Sequence, residues 1–157
     1  MATLTPAFSA NRTVREYTEK YYLPGAVNYT KRAAKKGVSG MKITGIQHEI
    51  LNKWGDIKFG EVKTENIPGG YRFQLQVSLN GINETSVSLQ LYADGINGAA
   101  PEITVMKPVK GTITDQCNNY EVKVITTRPA GDDTARVLPC YENIAVPLED
   151  NHILWQS

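Results

Sequence analysis

The spacing of hydrophobic residues changes once along the 157-residue chain, and this change separates a helical part from a strand-rich part. In the first part, Val14, Tyr17 and Tyr21 are three and four residues apart, which places them on one face of a helix. Pro24 and Gly25 follow. We expect them to end this helix, because proline lacks an amide donor and glycine allows the chain to turn.

A second helical pattern begins at Met41, after a glycine-containing break at residues 37–40. Its apolar positions form one stripe: Ile43, Ile46, Ile50, Leu51 and Trp54. A helix with a single apolar stripe must bury that stripe against another surface. The pattern therefore predicts an interface at Val14, Tyr17, Tyr21, Ile46 and Leu51, either with a missing partner or with a second copy in a homo-oligomer.

After residue 55 the hydrophobic period becomes two, as expected for strands with one buried face. The clearest example is residues 71–79, where Tyr, Phe, Leu, Val and Leu alternate with polar side chains. Six further runs have strand character: 57–64, 86–92, 102–109, 120–126, 134–140 and 152–156. Seven short strands with no helix between them favour an immunoglobulin-like antiparallel β-sandwich, with an up-and-down barrel as the alternative.

These patterns predict a mainly β fold class in which two or three α-helices precede a sandwich of about seven strands. We place the helical segment at residues 1–55 and the sandwich domain at residues 56–157. A chain of 157 residues has room for this arrangement but not for a multi-domain enzyme.

Charge and hydropathy narrow the classes of partner. The chain has 17 basic and 16 acidic residues, a net charge of +1, which offers no broad attraction to nucleic acid or to an anionic membrane. Its apolar runs are far shorter than the roughly 20 residues that span a bilayer, and its start does not resemble a secretion signal. We therefore expect a cytoplasmic protein in which Cys117 and Cys140 are reduced thiols.

Residues suited to catalysis are sparse. His48 and His152 are not spaced with the cysteines as metal ligands are, so we predict no metal site. Asp132 and Asp133 offer paired carboxylates for acid–base chemistry, but adjacent residues in a turn usually point into solvent. The sequence therefore predicts no catalytic residue and no cofactor site in this chain.

Binding of sugars is a separate hypothesis, because aromatic side chains on β-sandwiches often stack on pyranose rings. The candidates for glycan contact are Trp54, Tyr92, Tyr141 and Trp155. Packing in the core accounts equally well for Trp54, which completes a helical stripe, and for Trp155, which ends the last strand. The alternative function is thus a carbohydrate-binding module.

Segments near both ends of the chain carry a resemblance to one enzyme family. Residues 8–24 read FSANRTVREYTEKYYLP; residues 128–139 read RPAGDDTARVLP and are followed by VPLE at 146–149 and ILWQ at 153–156. The first resembles a helix near the end of the catalytic body of glycogen, starch and maltodextrin phosphorylases. The others resemble the C-terminus of bacterial and archaeal α-glucan phosphorylases, and VSLQLY at 87–92 is similar to that branch too.

The resemblance implies that the chain is the C-terminal accessory region of such a phosphorylase rather than a complete enzyme. The parent reaction would be phosphorolysis of α-1,4-glucan to glucose 1-phosphate with pyridoxal phosphate, whose lysine motif would lie upstream of Met1. The implied partners are the catalytic body of the parent and, under the alternative, glycogen or starch. Asp133 departs from the pattern, since an aromatic residue is common at that position.

Overall fold

A computed structural model describes residues 10–109, 117–146 and 149–156. The described part begins with helix α1 (Ala10–Tyr17), continues through a π-helical turn (Thr18–Tyr22) into α2 (Leu23–Lys53) and ends its helical part in a 3-10 turn (Trp54–Asp56). Within the described residues, no helix is long and apolar enough to cross a bilayer.

The predicted helix end at Pro24 and Gly25 is wrong, because both residues lie inside α2. Pro24 is the second residue of α2, one residue after the π-helical turn. The amide of Leu23 donates to the carbonyl of Thr18, five residues earlier, so the hydrogen-bond spacing has already changed where the proline lacks a donor.

The actual interruption of α2 lies at residues 34–37, close to the predicted break at 37–40. Ala34 is extended with ψ 154°, and Lys35, Lys36 and Gly37 have φ values of 51°, 60° and 76°. A left-handed conformation costs a non-glycine residue roughly 1–2 kcal/mol, so the two lysines make this a strained break. Sequence alone pointed to the glycine and missed the residues before it.

The chain forms two compact units, a helical unit (Met1–Gly45) and a sheet unit (Ile46–Ser157). The described residues of the sheet unit form eight strands: β1 (Lys58–Ile67), β2 (Gly70–Ser78), β3 (Val87–Ala93), β4 (Glu102–Val105), β5 (Lys107–Pro108), β6 (Cys117–Ile125), β7 (Thr134–Pro139) and β8 (Leu154–Trp155). All seven predicted runs contain strand, and the run at 102–109 contains two.

The strands form two antiparallel sheets of four. The first sheet has the order β1-β2-β6-β5, and the second has the order β4-β3-β7-β8. The chain passes from the second sheet to the first at Met106, the single residue between β4 and β5. Met106 is buried, and its amide donates a 2.9 Å hydrogen bond to the carbonyl of Leu89 on β3.

One hydrophobic core lies between the two sheets, so the fold is a β-rich sandwich, which confirms this part of the predicted fold class. The first sheet supplies Phe73, Leu75 and Val77, and the second supplies Leu89 and Val137. Each of these side chains is at most 4% exposed. Burial of such a side chain stabilises the fold by about 1.5–3 kcal/mol, which explains why the alternation of hydrophobic residues determines the inward face.

Tyr120 of β6 belongs to the same core but carries a polar group into it. Its hydroxyl has no hydrogen-bond partner among the described residues. Burial and the nearby carboxylate of Glu84 raise the pKa of Tyr120 to about 12, because both disfavour the phenolate. The phenol therefore stays neutral and acts as a packing group.

Candidate functional site

The outer face of the second sheet carries a group of interlocked side chains that we call the Arg136 cluster: Gln90, Tyr92, Arg136 and Trp155. Arg136 lies opposite Gln90 on β3 and opposite Trp155 on β8, so strand register brings the group together. Val87, Leu89 and Leu91 on β3 are buried, and the alternation of the strand places Gln90 and Tyr92 on the opposite face.

Arg136 holds the centre of the cluster. Its Nε and one terminal nitrogen donate hydrogen bonds of 3.1 and 2.9 Å to Oε1 of Gln90. The guanidinium carbon lies 4.7 Å from the ring centre of Tyr92 and 5.2 Å from that of Trp155. Attraction between a cation and an aromatic face is worth about 0.5–1 kcal/mol at an exposed site. The bonds and ring contacts together fix the orientation of Arg136.

The two aromatic rings also contact each other. Their centres are 5.3 Å apart, and their planes are inclined at 83°, an edge-to-face arrangement. The Tyr92 hydroxyl donates a 3.0 Å hydrogen bond to Asp94, and this bond raises the pKa of the Tyr92 phenol. Trp155 is 40% exposed, so the cluster is both ordered and open to solvent.

The carboxylate pair Asp132–Asp133 directly precedes β7, and Arg128 forms an ion pair with Asp132. Arg128 is within 3.5 Å of carboxylate oxygens of Asp132 and Glu102 and donates a 2.8 Å hydrogen bond to the Asp94 carbonyl. Burial raises the pKa of Asp133, an effect that neighbouring Arg128 opposes. The arrangement is one of ion pairs around a mostly buried guanidinium.

The other two sugar-binding candidates lie in a different group, the Asp150 network: Trp54, Tyr141, Asp150 and His152. The carboxylate of Asp150, which is 8% exposed, accepts hydrogen bonds from the Tyr141 hydroxyl and from the His152 backbone at 3.2 Å. His152 Nδ1 is 2.6 Å from the same carboxylate, and its ring is 5.2 Å from that of Trp54. These contacts secure the C-terminal segment of the sheet unit.

The electrostatics of the Asp150 network favour an ionised carboxylate. Burial alone raises the pKa of Asp150, but the hydrogen bonds from Tyr141 and His152 outweigh it, and the net pKa is lowered. Burial and the adjacent Asp150 carboxylate in turn raise the pKa of Tyr141. The tyrosine is therefore a persistent donor and the aspartate a persistent acceptor.

The predicted interface residues lie in both units. In the helical unit, Val14, Tyr17 and Tyr21 are 64%, 52% and 45% exposed, and the two tyrosine rings are 5.6 Å apart. In the sheet unit, Leu51 is exposed and Ile46 is half-buried. We call Val14, Tyr17 and Tyr21 the tyrosine face.

Sequence reasoning missed Gln90 and Arg136, and it considered Asp150 only as a solvent-facing carboxylate beside Glu149, not as the partner of Tyr141 and His152. Gln90 and Arg136 occupy the polar positions of alternating strands, so their positions predicted an outer face but not their pairing. Asp150 and Tyr141 are nine residues apart, and no local pattern links them. Strand pairing creates the Arg136 cluster, and the path of the chain after β7 creates the Asp150 network. Sequence spacing predicts neither.

Within residues 10–109, 117–146 and 149–156, no group of three or more His, Cys, Asp or Glu side chains is arranged to hold a metal ion. Cys117 and Cys140 are free thiols.

Comparison with known proteins gives no relative from which to transfer a role. The chain matches no protein-family model, no curated protein and no solved structure. No match therefore links it to the α-glucan phosphorylases, and that resemblance stays a prediction.

Proposed function

We propose that this chain is a non-catalytic accessory region that docks through the tyrosine face. The observation that carries the proposal is the exposure of Val14, Tyr17 and Tyr21, with the two tyrosine rings 5.6 Å apart. Tyr22, Leu23 and Val27 follow in the chain and are also more than half exposed. Contiguous apolar surface of this kind marks interaction sites in soluble proteins, and tyrosine is enriched at the centres of interfaces.

The sandwich is proposed to be immunoglobulin-like. If the eight strands are lettered A, B, C, C′, D, E, F and G in chain order, the first sheet has the order A-B-E-D and the second C′-C-F-G. That order supports the assignment, because the immunoglobulin fold places A, B, E and D in one sheet and C, F and G in the other. Such folds host many functions, so the topology alone assigns none.

The partner is proposed to be the catalytic body of a cytoplasmic α-glucan phosphorylase. The support is the resemblance of residues 8–24 and of the segments from residue 128 onward. Under this proposal the catalytic body supplies the pyridoxal phosphate, whose chemistry requires a fold that holds it against substrate. The open reading frame upstream of the Met1 codon is the decisive place to look for the cofactor lysine motif.

Docking is tested by binding of the purified chain to the separately expressed upstream protein. We expect the double variant Tyr17→Ser, Tyr21→Ser to weaken binding by about 30-fold, as removal of aromatic hot-spot residues costs roughly 2 kcal/mol or more. Tyr29→Ser is the matched control, since Tyr29 is a 71% exposed tyrosine outside the tyrosine face. Equal weakening by both variants, or wild-type binding by the double variant, would contradict the proposal.

Lack of catalysis is tested directly. The purified 157-residue chain, incubated with maltoheptaose, phosphate and pyridoxal phosphate, should release no glucose 1-phosphate above a protein-free blank. The physical reason is that a reaction of this class depends on groups held precisely around the substrate. Turnover that scales with protein concentration and survives further purification would refute the non-catalytic role.

A further inference from the structure

We infer that the Arg136 cluster is a surface site for the pyranose rings of an α-glucan. The choice of α-glucan rests on the proposed function; the choice of a sugar rests on the cluster itself. Of the four aromatic residues that the sequence offered for glycan contact, the fold brings Tyr92 and Trp155 together and places Trp54 and Tyr141 in the Asp150 network.

The outer faces of the two sheets differ in a way that singles out the cluster. On the first sheet, the outward positions of paired strands carry charge, and Arg72 lies within 3.8 Å of Glu121 and 3.5 Å of Glu65. Charged pairs of this kind are typical of a solvated face. The outer face of the second sheet presents two aromatic rings around one guanidinium instead.

The cluster is also built before any ligand arrives. Gln90 accepts two hydrogen bonds from Arg136, and the guanidinium contacts both rings. Side chains that are already ordered lose little conformational entropy when a ligand binds. Strand register fixes the backbone positions of all four residues, which gives the site a rigid base.

The polar groups of the cluster suit vicinal sugar hydroxyls. Gln90 uses its carbonyl oxygen for Arg136, and its amide nitrogen donates no hydrogen bond to another described residue. Asp94 accepts from Tyr92 through one carboxylate oxygen and thus has a second oxygen as acceptor. Planar amide, guanidinium and carboxylate groups beside an exposed tryptophan offer an apolar surface for the C–H face of a sugar ring and hydrogen bonds for its edge.

The dimensions of the cluster favour a sugar over a protein partner. A stable protein interface buries about 800 Å² on each side, which corresponds to 20 or more residues. The Arg136 cluster contains four side chains, and the exposed Ile103 and Val105 on β4 are its apolar neighbours. A patch of this extent matches one or two pyranose rings.

The test is a titration of the full chain with maltoheptaose, followed by changes in backbone amide chemical shifts. We expect saturable shifts at residues of β3, β7 and β8 with a dissociation constant on the order of 1 mM, a value typical of a shallow site. Trp155→Ala should weaken binding at least tenfold. Trp155→Phe, which retains a ring, should stay within about threefold of the wild type and shows that loss of binding is not loss of folding.

Further arms separate this inference from its alternatives. The double variant Tyr17→Ser, Tyr21→Ser should bind maltoheptaose as the wild type does. Failure of the docking proposal can therefore be distinguished from failure of the sugar-binding inference. Cellohexaose should bind more weakly if the cluster reads the α-linkage. The inference is overturned if about 10 mM maltoheptaose causes no shift, if shifts map away from β3, β7 and β8, or if the face mediates self-association that Trp155→Ala abolishes.

Discussion

Replacement of Gly70 by alanine should lower the free energy of unfolding by about 3 kcal/mol, the upper part of the range for overpacking. Gly70 begins β2 and lies opposite Ile125 in the first sheet. An added Cβ would overlap the carbonyl oxygen of Val124 and lie 2.9 Å from Cα of Ile125 and 3.0 Å from the amide nitrogen of Thr126. These are backbone atoms of the neighbouring strand and turn, so relief requires a shift of the β2–β6 ladder.

Gly131→Ala is the matched control for Gly70→Ala. Gly131 lies in a 3-10 turn, and no atom is within 4 Å of its added Cβ. Restriction of the unfolded chain by alanine stabilises a compatible site by about 0.4–1 kcal/mol, so this variant should be neutral or slightly more stable. Urea unfolding followed by circular dichroism measures both. A Gly70→Ala protein as stable as the control would show that the first sheet absorbs the extra methyl group.

Replacement of Asp150 by alanine should lower the free energy of unfolding by a similar amount, about 3 kcal/mol. The change removes a buried acceptor that receives hydrogen bonds from the Tyr141 hydroxyl and from His152. Tyr141→Phe removes one of these bonds and should cost about 1–2 kcal/mol. Asp132→Ala is the exposed-carboxylate control, and its ion pair with Arg128 at 3.5 Å should contribute less than about 1 kcal/mol.

The stabilising effect of Asp150 should depend on pH in one direction. Its pKa in the folded chain is lowered, so its contribution is complete above the unfolded value of about 3.9 and is lost as pH falls through the folded value. The stability difference between wild type and Asp150→Ala should therefore shrink as pH falls below about 4. A difference that stays constant or grows below about pH 4 would contradict the assignment of an ionised, hydrogen-bonded carboxylate.

Local patterns were sufficient for the strands that have one buried and one solvated face. The alternation at residues 71–79 predicted β2 (Gly70–Ser78) to within one residue at each end, because burial of Phe73, Leu75 and Val77 dominates the local energetics. The same reasoning counted 102–109 as one strand. Period-two alternation reports which side chains point inward, but it does not report with which sheet a strand pairs.

Helix ends and the candidate site depend on information that is not local. Pro24 lies inside α2, just after a π-helical turn that changes the local hydrogen-bond spacing, and the hydrophobic pattern does not predict that turn. Tyr92 and Trp155 could be named as sugar-binding candidates from residue type alone. Their contact through Arg136 could not be predicted, because it requires the register of β3, β7 and β8.

The passage of the chain at Met106 has a mechanical consequence. Because only Met106 separates β4 from β5, the backbone joins the edges of the two sheets directly, and the buried Met106 side chain packs at this junction. Sliding of one sheet past the other would disrupt the junction and expose the core there. The short connection therefore restrains the two sheets, so that Ile103, Val105 and the nearby rings of Tyr92 and Trp155 keep fixed separations.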